Sequence, residues 1–128
     1  MLVSGTTIAN CRRGIELINV VGSLDQTAIT GGQYGVFLPP SVEVRCCNVW
    51  GNSEFNWSGR PDPTGVDGNI SVFPAYCAPA DVDYSVGTNS PHLPANNSCG
   101  LLIGSLGEGC STVAVLPTSW GRIKASFR

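Results

Sequence analysis

Through the first fifty residues apolar positions come in short runs, and Gly, Asn or Pro separates each run from the next. Thr6-Thr7-Ile8-Ala9 is brief and β-prone. Gly14-Ile15-Glu16-Leu17-Ile18-Asn19-Val20 alternates and is rich in β-branched side chains. Val42-Glu43-Val44-Arg45-Cys46 alternates cleanly, which places Val42, Val44 and Cys46 on one face and Glu43, Arg45 and Cys47 on the other. Asn69-Ile70-Ser71-Val72 reads as another short strand. None of these segments carries the three-to-four spacing of a helix. From Asn52 onward the pattern loosens. Asn56–Gly65 reads as a turn-rich loop, Asp83-Tyr84-Ser85-Val86 as a last strand, and Pro91–Ser98 as irregular. Near the end, Trp120, Ile123 and Phe127 stand at helical spacing behind Thr118 or Ser119 as a cap, which predicts a short terminal helix.

The runs repeat. Residues 1–21 laid on residues 22–42 match Thr6 with Thr27, Ile8 with Ile29, Gly14 with Gly35, Leu17 with Leu38 and Val21 with Val42, and Ile15 falls on Val36. About one or two identities would be expected by chance. At the next step of 21, Ala28-Ile29-Thr30 falls on Val49-Trp50-Gly51, a looser match. A period near 21 built from short β segments predicts the coils of a β-solenoid. A sandwich or jelly roll also uses short strands, but predicts no such echo.

Composition narrows the class. At 128 residues one domain is expected, and 42% hydrophobic residues suffice for a core. The formal charge of −2 argues against nucleic acid or an anionic membrane as the main partner, and no apolar run is long enough to span a bilayer. The six cysteines, Cys11, Cys46, Cys47, Cys77, Cys99 and Cys110, predict disulfides and an oxidising compartment. Zinc fits their spacing poorly, because there is no C-x-x-C and His92 is the single histidine. The start, Met1-Leu2-Val3-Ser4-Gly5-Thr6-Thr7, has neither a basic nor an apolar leader region. The expectation is therefore the C-terminal piece of a longer exported protein, or a mature chain whose leader has been removed.

Three blocks in order carry a family resemblance. They are Cys46-Cys47-Asn48-Val49-Trp50-Gly51-Asn52, then Gly65-Val66-Asp67-Gly68-Asn69-Ile70-Ser71 with Phe73-Pro74-Ala75-Tyr76-Cys77, then Asn89-Ser90-Pro91 with Cys99–Cys110. The succession resembles the C-terminal end of bacterial right-handed parallel β-helix proteins of the pectate-lyase-like superfamily. The resemblance implies an all-β, right-handed solenoid fragment. Residues 1–110 would be coils and an irregular cap, and 111–128 a tail with the short helix. It also implies export to the cell surface or exterior, with upstream coils of the same protein as a partner. His92 stands where such proteins often have cysteine, and Phe73 replaces an acidic residue before proline. With one disulfide partner missing, the family's pairing does not carry over whole. The expected pairing is Cys47 with Cys77 and Cys99 with Cys110, with Cys46 pointing into the coil and Cys11 free.

Catalytic chemistry finds little support in these residues. Arg122-Ile123-Lys124 matches a substrate-binding signature of polygalacturonases, which share this fold, but the companion aspartates are missing and glycoside hydrolysis needs two facing carboxylates. The bland alternative is a basic terminal helix or sorting tail. Asp62, Asp67, Asp81 and Asp83 are the candidate ligands for calcium, with Asp81 and Asp83 on one face of a strand, yet calcium takes six to eight oxygens. His92 has no nucleophile near it in sequence. Among the aromatic residues, Trp57, in the polar loop, is the best exposed candidate for stacking on sugars, followed by Trp50 and Tyr84, with Tyr34 and Tyr76 beside them. The expected partner is a polysaccharide or cell-surface glycan. Asn56, Asn69 and Asn96 open glycosylation sequons. Two functions are thus in view: a non-catalytic, adhesin-like surface module, or the end of a polysaccharide lyase or hydrolase whose active site lies upstream.

Overall fold

Three parallel sheets wrap one narrow core. The structure, a computed structural model, describes residues 1–113. The expected terminal helix and Arg122-Ile123-Lys124 lie outside them. The first turn consists of β1 (Leu2–Ser4), β2 (Thr7–Ala9) and β3 (Arg13–Glu16), the second of β4 (Gly22–Asp25), β5 (Ala28–Thr30) and β6 (Tyr34–Phe37), and the third of β7 (Val42–Arg45), β8 (Asn48–Trp50) and β9 (Phe55–Ser58). Strands in like positions stack in parallel as β1-β4-β7, β2-β5-β8 and β3-β6-β9. The whole is a β-solenoid of about five turns that ends in a mixed sheet.

The 21-residue echo is the register of this stack. Ile8 pairs with Ile29 and Ile15 with Val36, so like residues sit directly above one another. At the next turn the period shortens by one. The link from β6 to β7, through Pro39-Pro40, is one residue shorter than the link from β3 to β4. Val42 therefore pairs with Gly22 rather than Val21, and Ile29 with Val49 rather than Trp50. The longer link between β8 and β9 restores the count, and Tyr34 pairs with Phe55.

Corners in the left-handed backbone region separate the strands. One column of corners is Gly5, Gln26 and Cys46, at φ of 59, 50 and 54°, and a second is Asn10, Gly31 and Gly51, at 56, 70 and 70°. At Gly5, Asn10, Gln26, Gly31 and Cys46 the amide still donates to the next turn, as in Gln26 N–H to the Arg45 carbonyl and Cys46 N–H to the Asp67 carbonyl. The corner at Cys46 corrects the expected alternation. It breaks the two-residue period after Arg45, so Cys47, and not Cys46, joins Val42 and Val44 in the core.

That core is Leu24, Ile29, Val36, Leu38, Val42, Val44, Cys47 and Val49. Ile29 lies in the middle sheet between Ile8 and Val49 and is almost fully buried. Ile29→Val is expected to cost about 1 kcal/mol, read as a lower urea midpoint at unchanged slope.

Beyond β9 the chain builds a cap. The strand expected at Asn69–Val72 is a single bridge, Asn48 with Ile70, because the side chain of Asn48 takes over the next pairing and bonds the backbone of Val72. β10 (Tyr76–Ala78) runs antiparallel to β11 (Asp83–Gly87), and β12 (Glu108–Cys110) lies parallel to β11. The Asp83–Val86 strand is thus central in this sheet rather than last.

The disulfides are Cys46–Cys99 and Cys77–Cys110. The expected pairs, Cys47 with Cys77 and Cys99 with Cys110, do not form. Cys46 stands outward on its corner, where Cys99 of the cap reaches it, while Cys47 is enclosed with its thiol against the Leu24 and Arg45 carbonyls. Burial pushes the Cys47 thiol up to about 12, so it stays protonated and inert. Cys77 and Cys110 lie on β10 and β12 and staple the mixed sheet across β11. Cys11 is exposed and unpaired.

Candidate functional site

The cap does not lie flat on the solenoid, and a cleft of about 290 Å³ remains between them. Its solenoid wall is Ala9, Asn10, Thr30, Gly31 and Trp50, and its cap wall is Phe73, Pro74, Tyr76, Pro79 and Tyr84. The solenoid residues come from one edge of the middle sheet. Thr30 and Trp50 close β5 and β8 and stack in register, and Asn10 is the corner after β2. The left-handed turns at Asn10, Gly31 and Gly51 bend the chain away there, leaving the edge free for the cap.

Aromatic rings set the shape. Trp50 meets Phe73 edge-on at 5.5 Å, and Tyr76 meets Tyr84 edge-on at 5.0 Å. Two hydrogen bonds stitch the walls together. Asn10 Nδ2 donates to the Tyr84 hydroxyl at 3.0 Å, and the Tyr76 and Thr30 hydroxyls are hydrogen-bonded to each other at 2.7 Å. Burial pushes the Tyr76 phenol up to about 12, so it remains neutral. Among the described residues no Asp, Glu, His, Lys or Arg lines the cleft. Such a surface can stack on the apolar face of a ring and offer hydroxyl and amide groups to its edge. Among the described residues it brings together no pair of groups suited to acid–base catalysis.

Trp50 and Tyr84 are brought together as their residue types allowed, and Tyr76 joins them as the floor. Trp57 is not. It lies on β9 opposite Val36, half-buried against the core, with its indole N–H enclosed and unpaired. It reads as loop in the sequence because Asn56, Ser58 and Gly59 surround it, but Phe55 to Ser58 complete the third sheet. Phe73 is the aromatic lining residue that the sequence reading missed, and the polar Asn10 and Thr30 were missed with it. The signal available was its place just before a proline, next to the bridge that puts this segment beside β8.

A second groove, of about 320 Å³, runs over the third sheet between Tyr34, Phe37 and Phe55, with the exposed Arg13–Glu16 ion pair at its rim. Arg13 lies over the Tyr34 ring at 5.9 Å.

The carboxylates serve their own turns. Asp62 Oδ1 accepts from the Thr64 amide and hydroxyl, and Asp83 Oδ1 from those of Ser85. Asp81 ends a short helical turn, Pro79–Asp81, and the left-handed Val82 follows, so Asp81 and Asp83 do not share a strand face. Among the described residues no three metal-ligating side chains converge. His92 is buried in the cap, and its ring is bonded to the Asn48 side chain. Of the sequons, Asn69 is buried, Asn56 is half-buried, and Asn96 is exposed.

The arrangement defines a class: a disulfide-tied parallel β-solenoid with an aromatic cleft at its capped end. No family model, no curated protein and no solved structure matches this chain.

Proposed function

We propose that this chain is the capped C-terminal segment of an exported, right-handed parallel β-helix of the pectate-lyase-like kind, and that it contacts glycans at a surface without altering them chemically. One observation carries the reading: four aromatic side chains, Trp50, Phe73, Tyr76 and Tyr84, converge on an uncharged cleft bordered by hydroxyl and amide groups. Aromatic faces stack on the C–H faces of sugars, and neighbouring polar groups fix the orientation. The order of motifs along the chain supports the family, and the two disulfides are consistent with an oxidising exterior.

The test is affinity electrophoresis against laminarin, xyloglucan and polygalacturonate, with a reducing-end assay alongside. At least one polymer is expected to retard the protein with no product released. Tyr84→Ala should weaken that binding about tenfold, a loss of about 1.4 kcal/mol. Phe55→Ala, in the second groove, should leave it unchanged. Failure of all three polymers to retard the protein, or equal binding by Tyr84→Ala, overturns the reading.

A further inference from the structure

Several polar contacts seat the cap on the solenoid, among them the buried Thr30–Tyr76 bond and an enclosed junction of Asn48 and His92. The Asn48 side chain, on β8, pairs with Val72 as a strand would. Its Oδ1 accepts the Val72 amide at 3.0 Å and its Nδ2 donates to the Val72 carbonyl at 2.9 Å. This pair of hydrogen bonds fixes the amide, because turning it over would set donor on donor and acceptor on acceptor. The second Nδ2 proton then points at His92 Nε2, 2.9 Å away. Nε2 must accept, so the ring is neutral and carries its proton on Nδ1.

His92 ties several cap pieces to this point. Its carbonyl accepts from Ile103, its amide donates to the Ser90 hydroxyl, and its ring stands edge-on to Tyr76 at 5.8 Å. Tyr76 is the floor of the aromatic cleft and contacts Tyr84. The groups facing the ring are Asn48 from β8, Tyr76 from β10 and Gly104 from the loop before β12. Of these only Tyr76 titrates, and it stays neutral below pH about 12. Among the described residues no carboxylate or arginine pairs with the imidazole.

We propose that His92 is a pH-sensitive latch: on acidification its protonated Nε2 confronts the Asn48 amide, the cap edge lifts from β8, and the aromatic cleft opens and lets go of its glycan. The part concerning the glycan rests on the function proposed above. The Cys46–Cys99 disulfide keeps the lifted cap tethered, which makes the motion reversible. Protonation has a definite window. Burial lowers the ring from 6.5 to about 4, so the neutral-ring contribution is complete above pH about 6.5 and is lost as the pH falls through about 4.

The test is an NMR titration of the 15N-labelled protein from pH 7.5 to 3.5, following the Asn48 side-chain amide, the Val72 amide and the His92 ring. In the wild type the three are expected to change together and to recover at pH 7.5. His92→Gln keeps an acceptor for Asn48 but does not titrate, and its Asn48 and Val72 signals should stay native throughout. Signals that hold still while wild-type His92 protonates would overturn the latch, as would equal changes in His92→Gln. If that variant does not fold, the wild-type titration decides alone. The polymers of the electrophoresis test separate the two readings. A latch that opens in a protein binding none of them defeats the glycan reading only. A polymer still held at pH 3.5, after the signals have moved, defeats the coupling of latch to cleft.

Discussion

Replacing Cys46 and Cys99 together by serine is expected to lower the unfolding free energy by about 4 kcal/mol, the loop-closure estimate for a long cross-link. The bond spans 53 residues, against 33 for Cys77–Cys110, so it restricts the unfolded chain more. It is also the covalent tie between the solenoid and the cap, since Cys46 is a corner of the third turn and Cys99 lies in the last loop. The site is shaped around it. A Cβ on Gly68 would lie 2.2 Å from the Cys99 sulfur, and Gly68 itself sits at φ 75°, so no other residue fits the corner below the bond. Urea unfolding of the double variant should show a large fall in midpoint, and the corresponding Cys77 and Cys110 double variant a slightly smaller one. Equal stability with and without Cys46–Cys99 would mean that the cap is held by its noncovalent contacts alone.

Asn69→Ala is expected to cost about 3–4 kcal/mol, because each buried backbone group left without a partner costs about 1–3 kcal/mol. Asn69 is buried under the third turn, where the fourth turn has no strand of its own. Its Oδ1 accepts the Cys47 amide at 3.1 Å, and its Nδ2 donates to the carbonyls of Val44 at 2.9 Å and Val66 at 2.7 Å. The side chain thus finishes a sheet edge that would otherwise end on open backbone groups. Thermal unfolding checks the loss directly. The same burial predicts that a glycosylating host leaves Asn69 unmodified in the folded protein, although the sequon is intact.

The repeat was legible because a parallel stack places residue i over residue i + 21, and burial selects like side chains at both. Ile8 over Ile29 and Ile15 over Val36 are cases of that selection. The one-residue slip at Pro39-Pro40 was not legible, since only corners record it and corners tolerate many residues. Cys46 shows the cost of this blind spot. Strand alternation runs through it on paper, but a left-handed φ turns the chain, and with it the identity of the buried cysteine and of the disulfide. Trp57 failed for a related reason, as its polar neighbours mark a loop in the sequence while Phe55–Ser58 pair with β6 as a strand. The cleft itself was half legible. Trp50 and Tyr84 stood out as aromatic residues, but their meeting depends on a cap that folds back over more than thirty positions, and no local pattern encodes that path.

Glycan contact in the aromatic cleft is measured most directly by 15N NMR at pH 7, which maps the residues that shift when oligosaccharides of the retarding polymer are added. Perturbations are expected to be confined to Trp50, Phe73, Tyr76, Tyr84 and the Asn10 side chain, with the oligosaccharide recovered intact. Perturbations centred on Tyr34, Phe37 and Phe55, or a cleaved oligosaccharide, would contradict it.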